Sequence, residues 1–87
     1  SDPWMRQMDQ LRHTLRVLGV AAEAHDAPRA LAQRARARLG SAAEPLAVLL
    51  DTLEQQRYGR AAAPRPDPRL TRRFKLQARR LRAAAHG

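Results

Sequence analysis

The chain has 87 residues, of which 17 are Lys or Arg and 8 are Asp or Glu, so its formal net charge is +9. This length allows one small domain, and the absence of cysteine excludes disulfide bonds, a thiol nucleophile and cysteine-ligated metal. Hydrophobic residues make up 44% of the chain, but alanine and leucine dominate them and isoleucine is absent, which favours a compact helical core over a broad sheet.

The first predicted helix covers residues 3–18. Asp2 is suited to cap its N-terminus, and Pro3 to occupy its first position. Gly19 is the expected end of the helix, and Val20 in the loop that follows should pack back onto the core. Large apolar residues recur at alternating spacings of four and three, which is typical of one buried helix face: Trp4, Met8, Leu11, Leu15 and Leu18.

The second predicted helix covers residues 27–39, with Asp26 as its expected cap and Gly40 as its expected end. Its apolar face is thin, because it consists of Leu31, Ala35 and Leu39 with further alanines beside them. Such small residues would allow a neighbouring helix to approach closely. Four arginines surround this face: Arg29, Arg34, Arg36 and Arg38.

The third predicted helix covers residues 42–58 and ends at Gly59. Ser41 and Glu44 have the spacing of a capping box. Asp51 and Glu54 flank the apolar face; they could form an acid pair, but the favoured interpretation is a solvated helix edge on which Glu54 pairs with Arg57. The stem of Arg57 should extend along the core. The apolar face itself consists of Leu46, Leu49, Leu50 and Leu53.

Residues 60–67 are a predicted linker, expected to be extended and mobile because proline recurs at positions 64, 66 and 68. The fourth helix should begin at Pro68, capped by Asp67, and continue to about residue 85. Its narrow apolar stripe consists of Leu70, Phe74, Ala78 and Leu81, while Leu76 lies off the stripe.

The positive charge is concentrated in this last segment. Residues 1–64 carry nine basic and seven acidic groups, whereas residues 65–87 carry eight basic groups and one acidic group. The favoured interpretation is that the apolar stripe packs on the other helices and leaves the basic side chains in solvent; an interfacial amphipathic helix is the alternative. The candidate contacts to an anionic lipid or a protein partner are Arg65, Arg69, Arg72, Arg73, Lys75, Arg79, Arg80 and Arg82.

Together the elements predict one small all-α domain over residues 1–87. It would consist of a compact bundle of three helices over residues 1–59, the linker over residues 60–67 and a basic fourth helix over residues 68–87 that docks on the bundle.

Catalysis by this chain is not expected. The histidines at positions 13, 25 and 86 are far apart, no metal-ligand spacing or glycine-rich phosphate loop is present, and no cofactor is implied. Nucleic-acid binding is the alternative function, because a basic helix can neutralise phosphates. Only 3% of the residues are aromatic, however, and a helix-turn-helix here would present a leucine-rich helix carrying Asp51 and Glu54.

Three short motifs occur in a characteristic order: LRVLG at 15–19, APRALAQR at 27–34 and LEQQRYG at 53–59. The chain thereby resembles a domain of unknown function that forms the C-terminal tail of bacterial transglutaminase-like membrane proteins of the TgpA type. Arg57, Tyr58 and Gly59 match the third family motif. Ala27 stands where the family usually has threonine, and Leu31 where it usually has an aromatic residue.

The resemblance implies a setting on the cytoplasmic side of the bacterial inner membrane. The parent protein would carry transmembrane helices and an extracytoplasmic domain with a Cys-His-Asp triad, and the present chain would be its cytoplasmic tail. In this chain itself no apolar run approaches the ~20 residues that span a bilayer. The implied role is that of a non-catalytic accessory or interaction module whose partner is an unidentified protein or an anionic membrane surface.

Overall fold

Four α-helices form the chain in a computed structural model, which describes the backbone of residues 2–86 and the side chains of residues 2–85. They are α1 (Pro3–Val17), α2 (Pro28–Leu39), α3 (Glu44–Tyr58) and α4 (Pro68–His86), with a 3-10 turn at Gly40–Ala43. The expected all-α class, with three helices and a fourth after a linker, is confirmed. Ser1 and Gly87, the ends of the predicted domain, lie outside the described residues.

Helices α1, α2 and α4 point in one direction, and α3 points in the other. At one end of the bundle the last residues of α1 and α2, Val17 and Leu39, line the same groove as Leu81 of α4. At the other end Met5 and Pro28, near the starts of α1 and α2, line a groove with Tyr58, the last residue of α3. The segment between α1 and α2 must therefore run back along the bundle.

Residues 18–27 make this return along the side of α1. Arg16 Nη1 donates to the carbonyl of Ala22 (2.7 Å), and Arg12 donates to the carbonyl of Asp26 (3.4 Å). Val20 is buried, as expected, and Gly19 adopts a φ of +84° directly after Leu18, the C-cap residue of α1. Asp2 accepts from Trp4 N (2.9 Å), which confirms it as the cap of α1.

Helix α4 packs against α1 on one side and α3 on the other, while α3 packs mainly against α2. Phe74 is the largest fully buried side chain, and Leu70 and Ala78 lie beside it in the core. Leu76 is 39% exposed, in agreement with its predicted position off the stripe. The other large core residues are Met8, Leu11, Leu15, Leu31, Leu46, Leu50 and Leu53.

The prediction that Asp26 caps α2 is wrong. The N-cap residue is Ala27, which has no side chain that could cap. Asp26 lies one residue too early; its carboxylate accepts from Glu23 N (2.8 Å) and binds the Arg34 guanidinium. A carboxylate from another helix takes its place, because Glu54 Oε1 accepts from Arg29 N (3.2 Å) at the positive end of the α2 dipole.

The predicted capping box at the start of α3 does not form either. Glu44 is the first residue of α3, and its N-cap residue, Ala43, makes no side-chain cap. Both carboxylate oxygens of Glu44 instead accept from Arg36 of α2 at 3.0 Å. Such a charge-assisted bidentate contact is stronger than the bond that a neutral cap would supply. The expected pairing of Glu54 with Arg57 is likewise replaced by the contact of Glu54 with α2.

The linker is not extended throughout, because residues 60–61 form a turn. Ala63 N donates to the carbonyl of Gln56 (2.7 Å), which folds the chain back onto α3. Gln7 of α1 then donates to the carbonyl of Asp67 (3.2 Å) and to Thr71 Oγ1 (3.1 Å). Asp67 accepts from Arg69 N (2.9 Å), as a cap of α4 does. These bonds fix where α4 begins relative to α1.

Candidate anion-binding face

The basic side chains of α4 lie in two rows on either side of its buried stripe. At about 100° per residue, one row faces α1 and the other lies on the far side, with Leu76 between them. The row beside α1 consists of Arg72, Lys75, Arg79 and Arg82, and the far row consists of Arg69, Arg73 and Arg80. All seven are exposed, as is Arg65 in the linker.

Two adjoining grooves separate the first row from α1. The groove nearer the helix starts encloses about 340 Å³ and is lined by Arg6, Arg72 and Lys75. The next encloses about 220 Å³ and is lined by His13, Lys75, Arg79 and Arg82. Lys75 lines both grooves, and no Asp or Glu of residues 2–86 lines either of them. We call this surface the basic seam: Arg6, His13, Arg72, Lys75, Arg79 and Arg82.

Several arginines outside this row form ion pairs with carboxylates, and Arg12 binds Asp9 (3.3 Å). Arg34 binds Asp26, and Arg36 binds Glu44 and Asp51. Of the predicted contact residues, Arg69 forms an ion pair with Asp67 (3.2 Å). Within residues 2–86, no such pair engages the row beside α1. The row beside α1 therefore keeps its positive charge without a carboxylate partner in this range, which favours the binding of anions there.

The ion pair of Asp26 with Arg34 joins the return segment to α2. Asp26 is 7% exposed. The Arg34 hydrogen bond, and then that from Glu23 N, lower the pKa of Asp26 from 3.8 to about 2. In the same way the Arg36 guanidinium lowers the pKa of Glu44, and the two bonds from Arg69 lower the pKa of Asp67. Each folded-state pKa lies below its ordinary value, so each carboxylate stabilises the fold at neutral pH.

We expect the Asp26 contribution to be lost in acid. It is fully present above the ordinary pKa of 3.8 and disappears as the pH falls towards about 2, where the folded-state carboxylate takes up its proton. Asp26→Asn removes this contribution, so the unfolding midpoints of the two proteins should converge between about pH 5 and pH 2. Thermal unfolding followed by circular dichroism at a series of pH values measures it. A constant difference between the two proteins across this range would contradict the assignment.

The family-like motif lies at the other end of the bundle from Val17 and Leu81. The Arg57 guanidinium is 5.9 Å from the centroid of the Trp4 ring and 5.0 Å from that of Tyr58. These cation–π contacts connect the end of α3 to the start of α1. Tyr58 is 59% exposed. The motif therefore contributes a structural contact and one exposed aromatic ring.

A polar groove of about 450 Å³ lies beside Tyr58, between α2 and α3. Its carboxylates already accept hydrogen bonds from α2: Asp51 from the Arg36 side chain (2.9 Å) and Glu54 from the Arg29 backbone. Within residues 2–86, no three His, Asp or Glu side chains converge on a position where they could hold a metal ion. Nor is any helix in this range both long and apolar enough to cross a membrane.

Arg6 and His13 are the members of the basic seam that the sequence did not single out. Both lie off the apolar stripe of α1, seven residues apart, so the helical period places them on one face. The sequence alone could therefore have identified that face of α1. It could not have predicted that the face lies beside α4, because this depends on which helices pack together.

No protein-family model, no curated protein and no solved structure matches the chain. The resemblance to the tail of TgpA-type proteins consequently rests on the order of the three sequence motifs alone.

Proposed function

We propose that this chain is a non-catalytic interaction module that binds an anionic membrane surface through α4. The observation that carries the proposal is the row of four exposed basic side chains beside α1 that lack carboxylate partners within residues 2–86. Each basic residue close to an anionic bilayer contributes about 1 kcal/mol of binding free energy. A row of four on one rigid helix can act together, because the helix is held by its buried stripe.

A membrane surface fits this face better than a nucleic acid does. Single-stranded nucleic acids are bound by aromatic side chains that stack on bases, and the basic seam contains no Phe, Tyr or Trp. Phe74 is fully buried, and Trp4 and Tyr58 lie together near Arg57 at the start of α1. An exposed apolar side chain, Val17, lies next to Arg79 and Arg82. The seam therefore combines positive charge with exposed apolar surface, as a membrane-binding face does.

We expect the chain to sediment with vesicles that contain phosphatidylglycerol and to remain in solution with pure phosphatidylcholine vesicles. Arg79→Gln/Arg82→Gln should reduce the partition coefficient at least about tenfold, because it removes two charges from the seam. Glutamine preserves the helix, being a good helix former. The matched control is Arg29→Gln/Arg60→Gln, which removes two exposed charges from the opposite end of the bundle and should have little effect.

Equal binding to both kinds of vesicle, or to neither, would contradict the proposal. Rising salt should weaken the binding, because exposed charges are screened over about 8 Å at physiological ionic strength. The alternative function, a small basic nucleic-acid-binding protein, is tested in parallel by gel shifts. Tight binding to duplex DNA that survives physiological salt, with no preference for anionic vesicles, would favour it.

The setting we propose is the cytoplasmic tail of a membrane-bound transglutaminase-like protein at the bacterial inner membrane. The order of the three motifs supports it, as does the charge of α4, since cytoplasmic segments next to a membrane are rich in basic residues. Reading the gene upstream of the codon for Ser1 tests this setting. A transmembrane segment directly upstream would support it, whereas a start codon at that position would overturn it.

A further inference from the structure

A third groove continues the basic seam towards the end of the bundle. It encloses about 430 Å³ and shares Val17, Leu18 and Arg82 with the preceding groove. Among the described side chains, its remaining lining residues are apolar: Leu39, Ala42, Leu81, Ala84 and Ala85. The surface between α1 and α4 is thus basic along most of its length and apolar at the end where both helices terminate.

We infer that the seam between α1 and α4, together with this apolar groove, binds one anionic phospholipid molecule. The phosphate would lie between Lys75, Arg79 and Arg82, and the acyl chain would follow Val17 and Leu18 into the apolar groove. This inference rests on the proposed function and adds to it a defined site, a ligand class and an orientation on the bilayer.

Charge and shape both fit such a ligand. No carboxylate of residues 2–86 lines the grooves on either side of Arg82, so none of them repels an anion bound there. Residues 75 and 84 are separated by about 14 Å along the helix axis, which accommodates a headgroup and the first part of an acyl chain. Val17 is 50% exposed, although a large apolar side chain gains free energy when it is covered.

The structure also offers a different way of meeting a bilayer, from which the groove must be distinguished. Leu76 is 39% exposed and lies between the two basic rows of α4. If α4 met the bilayer with its outer face, Leu76 would enter the lipid and Val17 would remain in water. If lipid occupied the groove, Val17 would be covered and Leu76 would not.

Three charge-neutral substitutions separate these arrangements: Val17→Asn in the groove, Leu76→Asn on the outer face of α4 and Val48→Asn on α3. Val48 is 48% exposed and lines none of the three grooves, so it matches Val17 in residue type and exposure. Val17→Asn should weaken partitioning into phosphatidylglycerol vesicles about threefold to fivefold, while the other two bind like the unmodified chain. Far-ultraviolet circular dichroism establishes that all three variants are folded.

A soluble probe tests the site without a bilayer. Dihexanoyl phosphatidylglycerol below its micelle concentration should bind more tightly than glycerol 3-phosphate, and Val17→Asn should weaken only the lipid. Titrations followed by nuclear magnetic resonance measure both affinities. Dihexanoyl phosphatidylcholine, which lacks the net charge, should bind more weakly than the phosphatidylglycerol form.

The outcomes distinguish the groove from the proposed function. If Leu76→Asn weakens vesicle binding and Val17→Asn does not, α4 meets the bilayer with its outer face, and the groove is overturned. If neither variant matters while the preference for anionic vesicles persists, binding is electrostatic alone, and only the groove is overturned. Loss of that preference in the unmodified chain would overturn both.

Discussion

Phe74→Ala is expected to lower the free energy of unfolding by about 3 to 5 kcal/mol, the range found when a fully buried phenylalanine is truncated. Phe74 has no exposed surface and is the largest fully buried side chain of the described residues. It lies on α4, which packs against both α1 and α3, so its loss leaves a cavity where three helices meet. Domains of this size are stable by only about 5 to 15 kcal/mol. The variant should therefore be largely unfolded in mild denaturant.

Urea unfolding followed by circular dichroism measures this difference. Leu76→Ala is the matched control, since Leu76 lies two residues along the same helix but is 39% exposed; it should cost less than about 1 kcal/mol. If Phe74→Ala were as stable as this control, α4 would not be packed in the core in solution. The basic seam would then have no fixed geometry, because α4 forms one of its two walls.

The existence and approximate limits of all four helices could be predicted from the sequence, because local signals mark them. Gly19 and Gly40 adopt positive φ within two residues of the ends of α1 and α2, where few other residues would be tolerated. Asp2 and Asp67 accept from the backbone two residues later, as predicted. The residues that take part in each of these interactions lie within a few positions of one another, so a short stretch of sequence is enough to predict them.

The caps of α2 and α3 could not be predicted, because the carboxylates expected to form them bind arginine side chains instead. Asp26 and Glu44 have the sequence spacing of caps, but α2 begins one residue after the position that Asp26 could cap, and α3 begins at Glu44 itself. Both carboxylates bind an arginine of α2 instead. Arg34 is eight residues from Asp26, and Arg36 is eight residues from Glu44. Both contacts depend on how α2 packs against the return segment and α3. Spacing along one helix carries no information about such packing.

The candidate site divides in the same way. The basic residues of α4 and their separation from its buried stripe follow from the helical period. The position of α1 as the second wall of the seam does not follow from the helical period, because it requires α1 and α4 to lie side by side and point in the same direction. That arrangement depends on the turn at residues 60–61 and on the bonds from Gln7 to Asp67 and Thr71. Arg6 and His13 enter the site only as a result of this packing.

Gly59→Ala is expected to destabilise the fold by about 2 to 3 kcal/mol through steric overlap. Gly59 has a φ of −71°, which any residue can adopt, so its backbone conformation does not require glycine. The limited space does require glycine, because a Cβ atom at this position would lie 2.3 Å from the carbonyl oxygen of Gln55. That oxygen accepts from Gly59 N (2.8 Å) and closes the last turn of α3. The backbone must move to admit the methyl group, and this bond would be disturbed.

The same variant separates a structural role of the Arg57-Tyr58-Gly59 motif from a binding role. Arg60→Ala, at the adjacent exposed position, is the control and should change the urea midpoint little. Under conditions where Gly59→Ala remains folded, its binding to anionic vesicles should equal that of the unmodified chain, because the basic seam is formed by α1 and α4. Unchanged stability together with lost vesicle binding would show that the motif itself contacts the membrane. The expected result, lower stability with unchanged vesicle binding, would show that the motif has a structural role. Glycine is then required at position 59 because the chain passes close to the last turn of α3, and Arg57 contacts Trp4 at the same end of the helix.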